Sequence, residues 1–166
     1  LDYARDMFMM SFYLRGMSFI DMAFLRTSDL SNGYVSYRRR KTGQRLTIKW
    51  TSEMQAIVSK YPSAAADFLL PIISDTALNM RSAYRNKNYN INHNLKAVGV
   101  LAGITVPLTL YVARHSWASA ARTKGVPVSV ISEGMGHESE STTRIYLASL
   151  DTSAVDRANS LIISAL

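Results

Sequence analysis

Apolar positions recur at helical spacing from the start of the chain. From Asp2 to Leu14 they fall three or four residues apart, which is typical of an α-helix with one face in a core. Phe8, Met9 and Phe12 recur at this spacing, and Met7, Met9, Met10 and Met22 are predicted to lie in the core. Gly16 follows the run, and we expect it to end the helix there.

A second helix is predicted directly after this glycine. Ser18 with Asp21 three residues later has the pattern of a capped helix start. Met22 and Leu25 then have the spacing of side chains that point into a core.

The pattern changes between residues 34 and 50. Tyr34–Arg38 and Arg45–Trp50 are rich in β-branched and aromatic residues, and Lys41-Thr42-Gly43-Gln44 separates them. Two such segments around a glycine-containing turn predict a β-hairpin. A further short strand or extended piece is predicted at Phe68–Pro71.

Helical spacing dominates the rest of the chain. The predicted helices are Ser52 to Lys60 with Gln55 completing a capping box, Ala77 to Leu101, Tyr111 to Lys124, a short one from Val128, Ser141 to Leu147, and Thr152 to Leu166. Glycines predict a helix end at Gly125 and a turn over Gly134–His137. The fold class predicted is mainly α within α+β, with one small antiparallel sheet or hairpin in a single domain over residues 1–166.

Charge indicates the kind of partner. The 19 Lys and Arg exceed the 12 Asp and Glu, which gives a net charge of +7. Residues 30–52 and 76–132 contain no acid and hold 13 of the 19 basic residues. Surface charges are usually mixed in sign when no polyanion is bound. We therefore expect one positive face for nucleic acid, with an anionic membrane surface as the other polyanion.

Several site classes are excluded or disfavoured. The chain has no cysteine, so a disulfide framework, a thiol nucleophile and a thiolate zinc site are excluded. No apolar run approaches the ~20 residues that span a bilayer. The spacing of His93, His115 and His137 matches no zinc motif.

A set of residues in the second half of the chain has a distinctive order and spacing. These are Arg114-His115, Gly125, Gly136-His137, Thr142-Thr143 and Tyr146. The set resembles the signature of the tyrosine recombinases, the lambda-integrase-type family, in which a Thr-Thr-x-x-Tyr ends nine residues after a Gly-His. The resemblance covers nearly the whole chain, and it is strongest to the variant subgroup of conjugative mobile elements.

The resemblance implies a chemistry that these residue types suit. A phosphodiester under attack gains negative charge, and an arginine fork binds two of its oxygens without deprotonating. Arg114 is the predicted first cation, and His137 is implied as a second donor to the same phosphate. Tyr146 is implied as the nucleophile, and Lys41, in the hairpin turn, as the donor of a proton to the leaving 5′ oxygen.

Two positions depart from the family pattern. Ser18 stands where the family has its first catalytic arginine, and Tyr111 stands where many members have His. Arg39 is our preferred substitute cation, because two residues before Lys41 it would share that residue's strand face. Arg15, three residues before Ser18, is the alternative. Tyr111 either donates a hydrogen bond to the phosphate or only packs, whereas His115 is expected to face away and make a structural hydrogen bond.

The function implied is site-specific DNA recombination or integration through a 3′-phosphotyrosyl intermediate, with no metal or nucleotide cofactor. Double-stranded DNA and other recombinase subunits, as a tetramer on paired sites, are the implied partners, and the segment 152–166 packs on its own domain or docks on a neighbour. The expected location is the bacterial cytoplasm with its nucleoid, and an N-terminal core-binding domain is expected to precede residue 1. A type IB topoisomerase-like enzyme and a non-catalytic DNA-binding module are the alternatives.

Overall fold

A computed structural model describes residues 1–61, 67–73, 79–149 and 163. Its helices are α1 (Asp2–Tyr13), α2 (Phe19–Ala23), α3 (Ser52–Lys60), α4 (Met80–Leu101), α5 (Leu110–Thr123), α6 (Val128–Met135) and α7 (Glu140–Ala148), with a 3₁₀ turn at Thr27–Asp29. Its strands are β1 (Leu30–Ser31), β2 (Tyr34–Arg38) and β3 (Arg45–Lys49). The predicted fold class, mainly helical with a small antiparallel sheet, is confirmed.

The three strands form one antiparallel sheet in the order β1-β2-β3. Val35 on β2 lies opposite Ile48 on β3, and both are buried. The flanking positions of β3 are exposed, so the sheet turns one apolar face to the core. The predicted hairpin is confirmed, with the two-residue β1 added at its edge.

Helix α1 is central to the core, because α3, α4 and α5 all pack against it. Its buried stripe includes Met7, Met10 and Leu14. The predicted core positions of Met7, Met10 and Met22 are confirmed, whereas Met9, which was also predicted there, is only half buried. Phe8 and Met9 are partly buried and pack against the core.

The start of α3 corrects a second prediction. Thr51, not Ser52, is the N-cap residue, and the proposed Ser52–Gln55 capping box is absent. Gln55 instead accepts a hydrogen bond from Nε1 of Trp50 at 3.0 Å and donates to Ser59 at 3.3 Å. The Gln55 side chain is therefore bonded to the Trp50 indole and does not cap the helix, as the predicted capping box required.

The predicted turn over Gly134–His137 was wrong in its first half, because Gly134 and Met135 belong to α6. A Cβ on Gly134 would lie 2.9 Å from the ring of Trp117. This glycine therefore serves close packing of α6 on α5 and does not break the helix. The helix ends at Gly136, which has the left-handed φ of +63°.

Other predicted elements differ in extent. Phe68 makes one antiparallel bridge with Arg26, and the rest of the predicted piece 68–71 has no strand partner. The predicted start of α4 at 77–78 and the helix predicted for 152–166 lie outside the described residues, apart from residue 163. In the part of the chain that is described, no helix is long and apolar enough to cross a membrane.

Gly16 connects the fold to the site, because a Cβ on it would lie 2.7 Å from Cα of Arg114, and its φ is +73°. We expect Gly16→Ala to lower the free energy of unfolding by at least about 2 kcal/mol, from left-handed backbone strain plus the clash. Gly125→Ala is the control, with the same φ of +73° and no atom within 4 Å of the added Cβ. Urea unfolding measures both, and equal losses in the two variants would contradict the clash.

Candidate active site

Helix α5 turns Arg114 inward, with 7% of the residue exposed. The guanidinium donates from Nη1 to the carbonyl oxygen of Gly16 at 2.8 Å and from Nη2 to that of Met135 at 2.9 Å. Its third partner is Nε2 of His137, 3.0 Å from Nη2. Among the described residues, no carboxylate pairs with Arg114. Neutral acceptors alone therefore hold this buried positive charge, which favours an incoming anion.

The turn between β2 and β3 is bound to the turn between α6 and α7. Arg39 and Thr42 both donate to the carbonyl oxygen of Gly136, Thr42 at 3.3 Å. Gln44 donates to the carbonyl oxygen of His137 at 3.0 Å. These bonds fix the hairpin turn, and Lys41 within it, beside the end of α6.

Gly136 makes this contact between turns possible. A Cβ at this position would lie 2.8 Å from Cδ1 of Leu46 and 3.1 Å from Cδ of Arg39. A larger residue would push the two turns apart, and the φ of +63° would strain it as well. The glycine thus brings the basic hairpin turn next to His137.

His137 has one tautomer that fits its partners. Because a guanidinium only donates, Nε2 of His137 accepts from Arg114, and Nδ1 carries the proton and donates to Oγ1 of Thr143 at 2.8 Å. Burial, together with the positive charges of Arg114, Arg39 and Lys41, lowers the pKa of His137 to about 4. The ring is therefore neutral at pH 7 in the absence of a bound anion.

Tyr146 projects from α7, which Ser139 caps by accepting a hydrogen bond from the backbone N–H of Thr142. The phenol ring meets His137 edge-on, with the centroids 5.6 Å apart. Burial and the nearby Tyr111 raise the pKa of the Tyr146 hydroxyl to about 12, although Arg114 acts in the opposite direction. The hydroxyl is therefore protonated at neutral pH, although the charge of Arg114 favours its ionised form.

These side chains surround one open cavity of about 370 Å³. It is lined by Arg39, Lys41, Thr42, Tyr111, Arg114, His137, Glu138, Thr142 and Tyr146. Of these, Glu138 is the one acid, and it is exposed. Five predicted catalytic residues thus meet at one cavity: Tyr146, Arg114, His137, Lys41 and Arg39.

Arg39 lines the cavity, which fits its choice as the substitute cation. The argument that led to this choice, a strand face shared with Lys41, was wrong. Strand β2 ends at Arg38, so Arg39 and Lys41 lie in the turn and not on one strand face. Arg39 reaches the cavity because its backbone N–H donates to the carbonyl oxygen of Gln44 at 2.8 Å, which closes the turn. Its side chain is 8% exposed, whereas Lys41 is exposed.

The three supporting candidates, Ser18, Arg15 and Tyr111, lie in different places. Ser18 caps α2, donates to Asp21 at 2.6 Å, and lines a neighbouring cavity that shares Tyr111 and Arg114 with the first. Arg15 is not among the residues that line the cavity of Tyr146, and its Cδ lies 3.7 Å from the place of a Cβ on Gly134. Tyr111 is 60% exposed and packs its ring edge-on against His115.

His115 was predicted to face away from the site, and that prediction was wrong. Its Nδ1 is 2.8 Å from the hydroxyl oxygen of Tyr146, and the two rings stack 5.2 Å apart. Successive helix positions differ by about 100°, so Arg114 enters the core while His115 contacts Tyr146. The missed signal was the i,i+4 spacing from Tyr111, which places both rings on one face of α5. No group of residues suited to hold a metal occurs in the described part of the chain.

Comparison with known proteins identifies the family of the chain. The model of the phage integrase family matches residues 2–153. The chain belongs to the phage integrase family. This integrase-family chain is 29% identical over 170 residues to the tyrosine recombinase XerA of Pyrococcus furiosus, covering 96% of the chain and 57% of XerA. It is 27% identical over 143 residues to XerC of Lactobacillus delbrueckii subsp. bulgaricus, covering 81% of the chain and 47% of XerC.

Solved structures support the fold. A crystal structure of XerA recombinase superposes with a TM-score of 0.64 at 19% identity, covering 96% of this chain and 61% of that one. XerH bound to a palindromic difH substrate, in a post-cleavage complex, gives a TM-score of 0.66 at 19% identity, covering 95% of this chain and 45% of XerH. The integrase-family chain spans about half the length of the relatives it matches.

The electrostatics of the site can be measured through His137. We expect Arg39→Gln to raise the pKa of His137 above about 4, because removing a nearby positive charge favours the protonated imidazole. Arg38→Gln is the control, since that exposed arginine donates to the carbonyl oxygen of Gly43. Histidine NMR titration measures the pKa of His137 in both variants. An unchanged pKa in Arg39→Gln would contradict the proximity of Arg39 to His137.

Proposed function

We propose that this chain catalyses site-specific DNA recombination by cleaving and rejoining strands through a phosphotyrosyl link at Tyr146. The observation that carries the proposal is a single cavity lined by Tyr146, Arg114, Arg39, Lys41 and His137. A phenol, a set of fixed positive charges and an open space are what in-line attack on a phosphodiester requires. Membership of the phage integrase family agrees with this assignment.

Each residue then has one role in the cleavage step. The Tyr146 oxygen bonds to the phosphorus atom, the bond to the 5′ oxygen breaks, and Lys41 donates a proton to that oxygen. Arg114 has two of its five N–H donors without a partner among the described residues, and these bind non-bridging oxygens. The phosphate charge also raises the pKa of His137, and Nε2 then exchanges its hydrogen bond from Arg114 for one that it donates to the phosphate. A second 5′ hydroxyl reverses the step, so the chain needs no energy source.

Arg39 is our candidate for the cation that replaces the family's first catalytic arginine, whose position is occupied by Ser18. Its side chain is buried beside the cavity, it contacts the carbonyl oxygen of Gly136, and its charge influences both Arg114 and His137. Arg15 is not among the residues that line the cavity, and its side chain lies near Gly134. The nearer cation stabilises the phosphate charge more strongly.

The partners follow from the same chemistry. We expect double-stranded DNA in the nucleoid as substrate, and further copies of the protein as a tetramer on paired sites. The solved structures of XerH bound to difH and of a lambda integrase dimer bound to a core site are complexes of relatives with DNA. Docking of residues 152–166 on a neighbouring subunit remains part of the proposal.

The covalent link is the direct test. Incubation with a nicked suicide duplex is expected to give a 3′-linked protein–DNA adduct that Tyr146→Phe abolishes, because the nucleophilic oxygen is gone. Tyr89→Phe is the control, since that tyrosine is exposed on α4 away from the cavity. Denaturing electrophoresis and peptide mass spectrometry locate the adduct.

The outcomes separate the alternatives. DNA binding without any adduct would contradict an enzyme and favour the binding module. An adduct with strand exchange between two sites supports the recombinase, whereas an adduct with relaxation of supercoils and no exchange would favour the topoisomerase-like function.

The choice of cation is tested separately. We expect Arg39→Ala to slow adduct formation on the order of 10²–10³-fold, the usual cost of one oxyanion donor. Arg15→Ala and Arg38→Ala are expected to have small effects. Full activity in Arg39→Ala with loss in Arg15→Ala would show that the assignment is wrong.

A further inference from the structure

The hydroxyl of Tyr146 has one hydrogen-bond partner among the described residues, and that partner is His115. The oxygen lies 2.8 Å from Nδ1, and the imidazole and phenol planes are inclined by 10° with their centroids 5.2 Å apart. The bond joins α5 to α7 over 31 residues of sequence. The imidazole is therefore positioned at the reacting atom itself.

The surroundings fix the ring and its charge. Tyr111, one turn earlier on α5, meets the imidazole edge-on with the centroids 4.3 Å apart. Burial and the positive charge of Arg114 lower the pKa of His115. His137, from the turn between α6 and α7, also contacts the Tyr146 ring, with the centroids 5.6 Å apart. The titratable groups around His115 thus favour a neutral imidazole, which can accept a proton.

The nucleophile needs such an acceptor. With a pKa near 12, only on the order of one phenol in 10⁵ is ionised at pH 7. The neighbouring cations stabilise a phenolate, but Arg114 is always protonated and His137 accepts its hydrogen bond from Arg114. Neither of these two can remove the proton in this arrangement.

We propose that Nδ1 of His115 takes the proton from the Tyr146 hydroxyl as that oxygen attacks the phosphate. This inference rests on the proposed function. The bond between Oη and phosphorus forms with the electron pair released from the O–H bond, and the proton moves to Nδ1 while Nε2 keeps its own. The bond from phosphorus to the 5′ oxygen breaks, and the proton that Lys41 donates neutralises the leaving oxygen. In the rejoining step the imidazolium returns its proton to the departing phenolate.

The test uses His115→Asn, because an amide oxygen still accepts a hydrogen bond near the Nδ1 position but cannot take up a proton. We expect single-turnover adduct formation to slow by about 10²-fold or more, the usual contribution of a general base. DNA affinity and the urea midpoint are expected to stay at the wild-type values. His93→Asn, on the exposed face of α4 beside Tyr89, is the matched control and is expected to leave the rate unchanged.

Two further readouts separate proton removal from positioning. The wild-type rate is expected to fall as pH drops through the His115 pKa, and this limb of the profile is expected to vanish in His115→Asn. A substrate with sulfur at the 5′ bridging position needs no proton on its leaving group. This substrate should restore adduct formation by Lys41→Ala but not by His115→Asn.

The outcomes distinguish this inference from the proposed function. If the wild-type chain forms an adduct and His115→Asn matches its rate and pH profile, the proton-acceptor role is overturned and the proposed function stands. Rescue of His115→Asn by the sulfur substrate would also overturn it, since that result assigns His115 to the leaving group. Absence of any wild-type adduct would overturn both.

Discussion

The constraint on which the site depends is a buried positive charge that has no carboxylate partner in the described part of the chain. Arg114 is almost fully removed from solvent, and its guanidinium is bound by the carbonyl oxygens of Gly16 and Met135 and by a ring nitrogen of His137. Because leaving such donors unpaired would destabilise the fold, the ends of α1 and α6 must both lie within reach of α5. The same desolvation keeps the guanidinium ready for an anion, since neutral acceptors do not cancel its charge.

The second constraint is the contact between two turns. The hairpin turn donates three hydrogen bonds to the backbone around Gly136, and the absence of a side chain there allows the close approach. This contact carries Arg39 and Lys41 to His137 although nearly a hundred residues separate them in sequence. Stability and chemistry therefore share the same contacts: substitutions at Gly16 or Gly136 are expected to affect both.

Local patterns determined how much the sequence could predict. The hairpin and the helix end at Gly125 were predictable, because turn chemistry is a local signal. The meeting of Tyr146, Arg114, His137 and Lys41 at one cavity followed from the resemblance to the tyrosine recombinases, whereas Arg39 reached it for a reason other than the predicted one. The prediction for His115 was wrong because the partner of a helical side chain depends on which element packs there, and α7 approaches α5 only in three dimensions. Gly134 was mistaken for a turn residue because its role, space for the ring of Trp117, depends on packing.

The most direct measurement is a crystal structure of the protein with orthovanadate and a DNA strand that ends at the cleavage position, since vanadate adopts the geometry of the attacked phosphate. The account predicts vanadium bonded to the Tyr146 oxygen, with equatorial oxygens contacted by Arg114, Arg39 and His137. Vanadate bound elsewhere, or bound to Tyr146 with Arg39 turned away and Arg15 in its place, would contradict it.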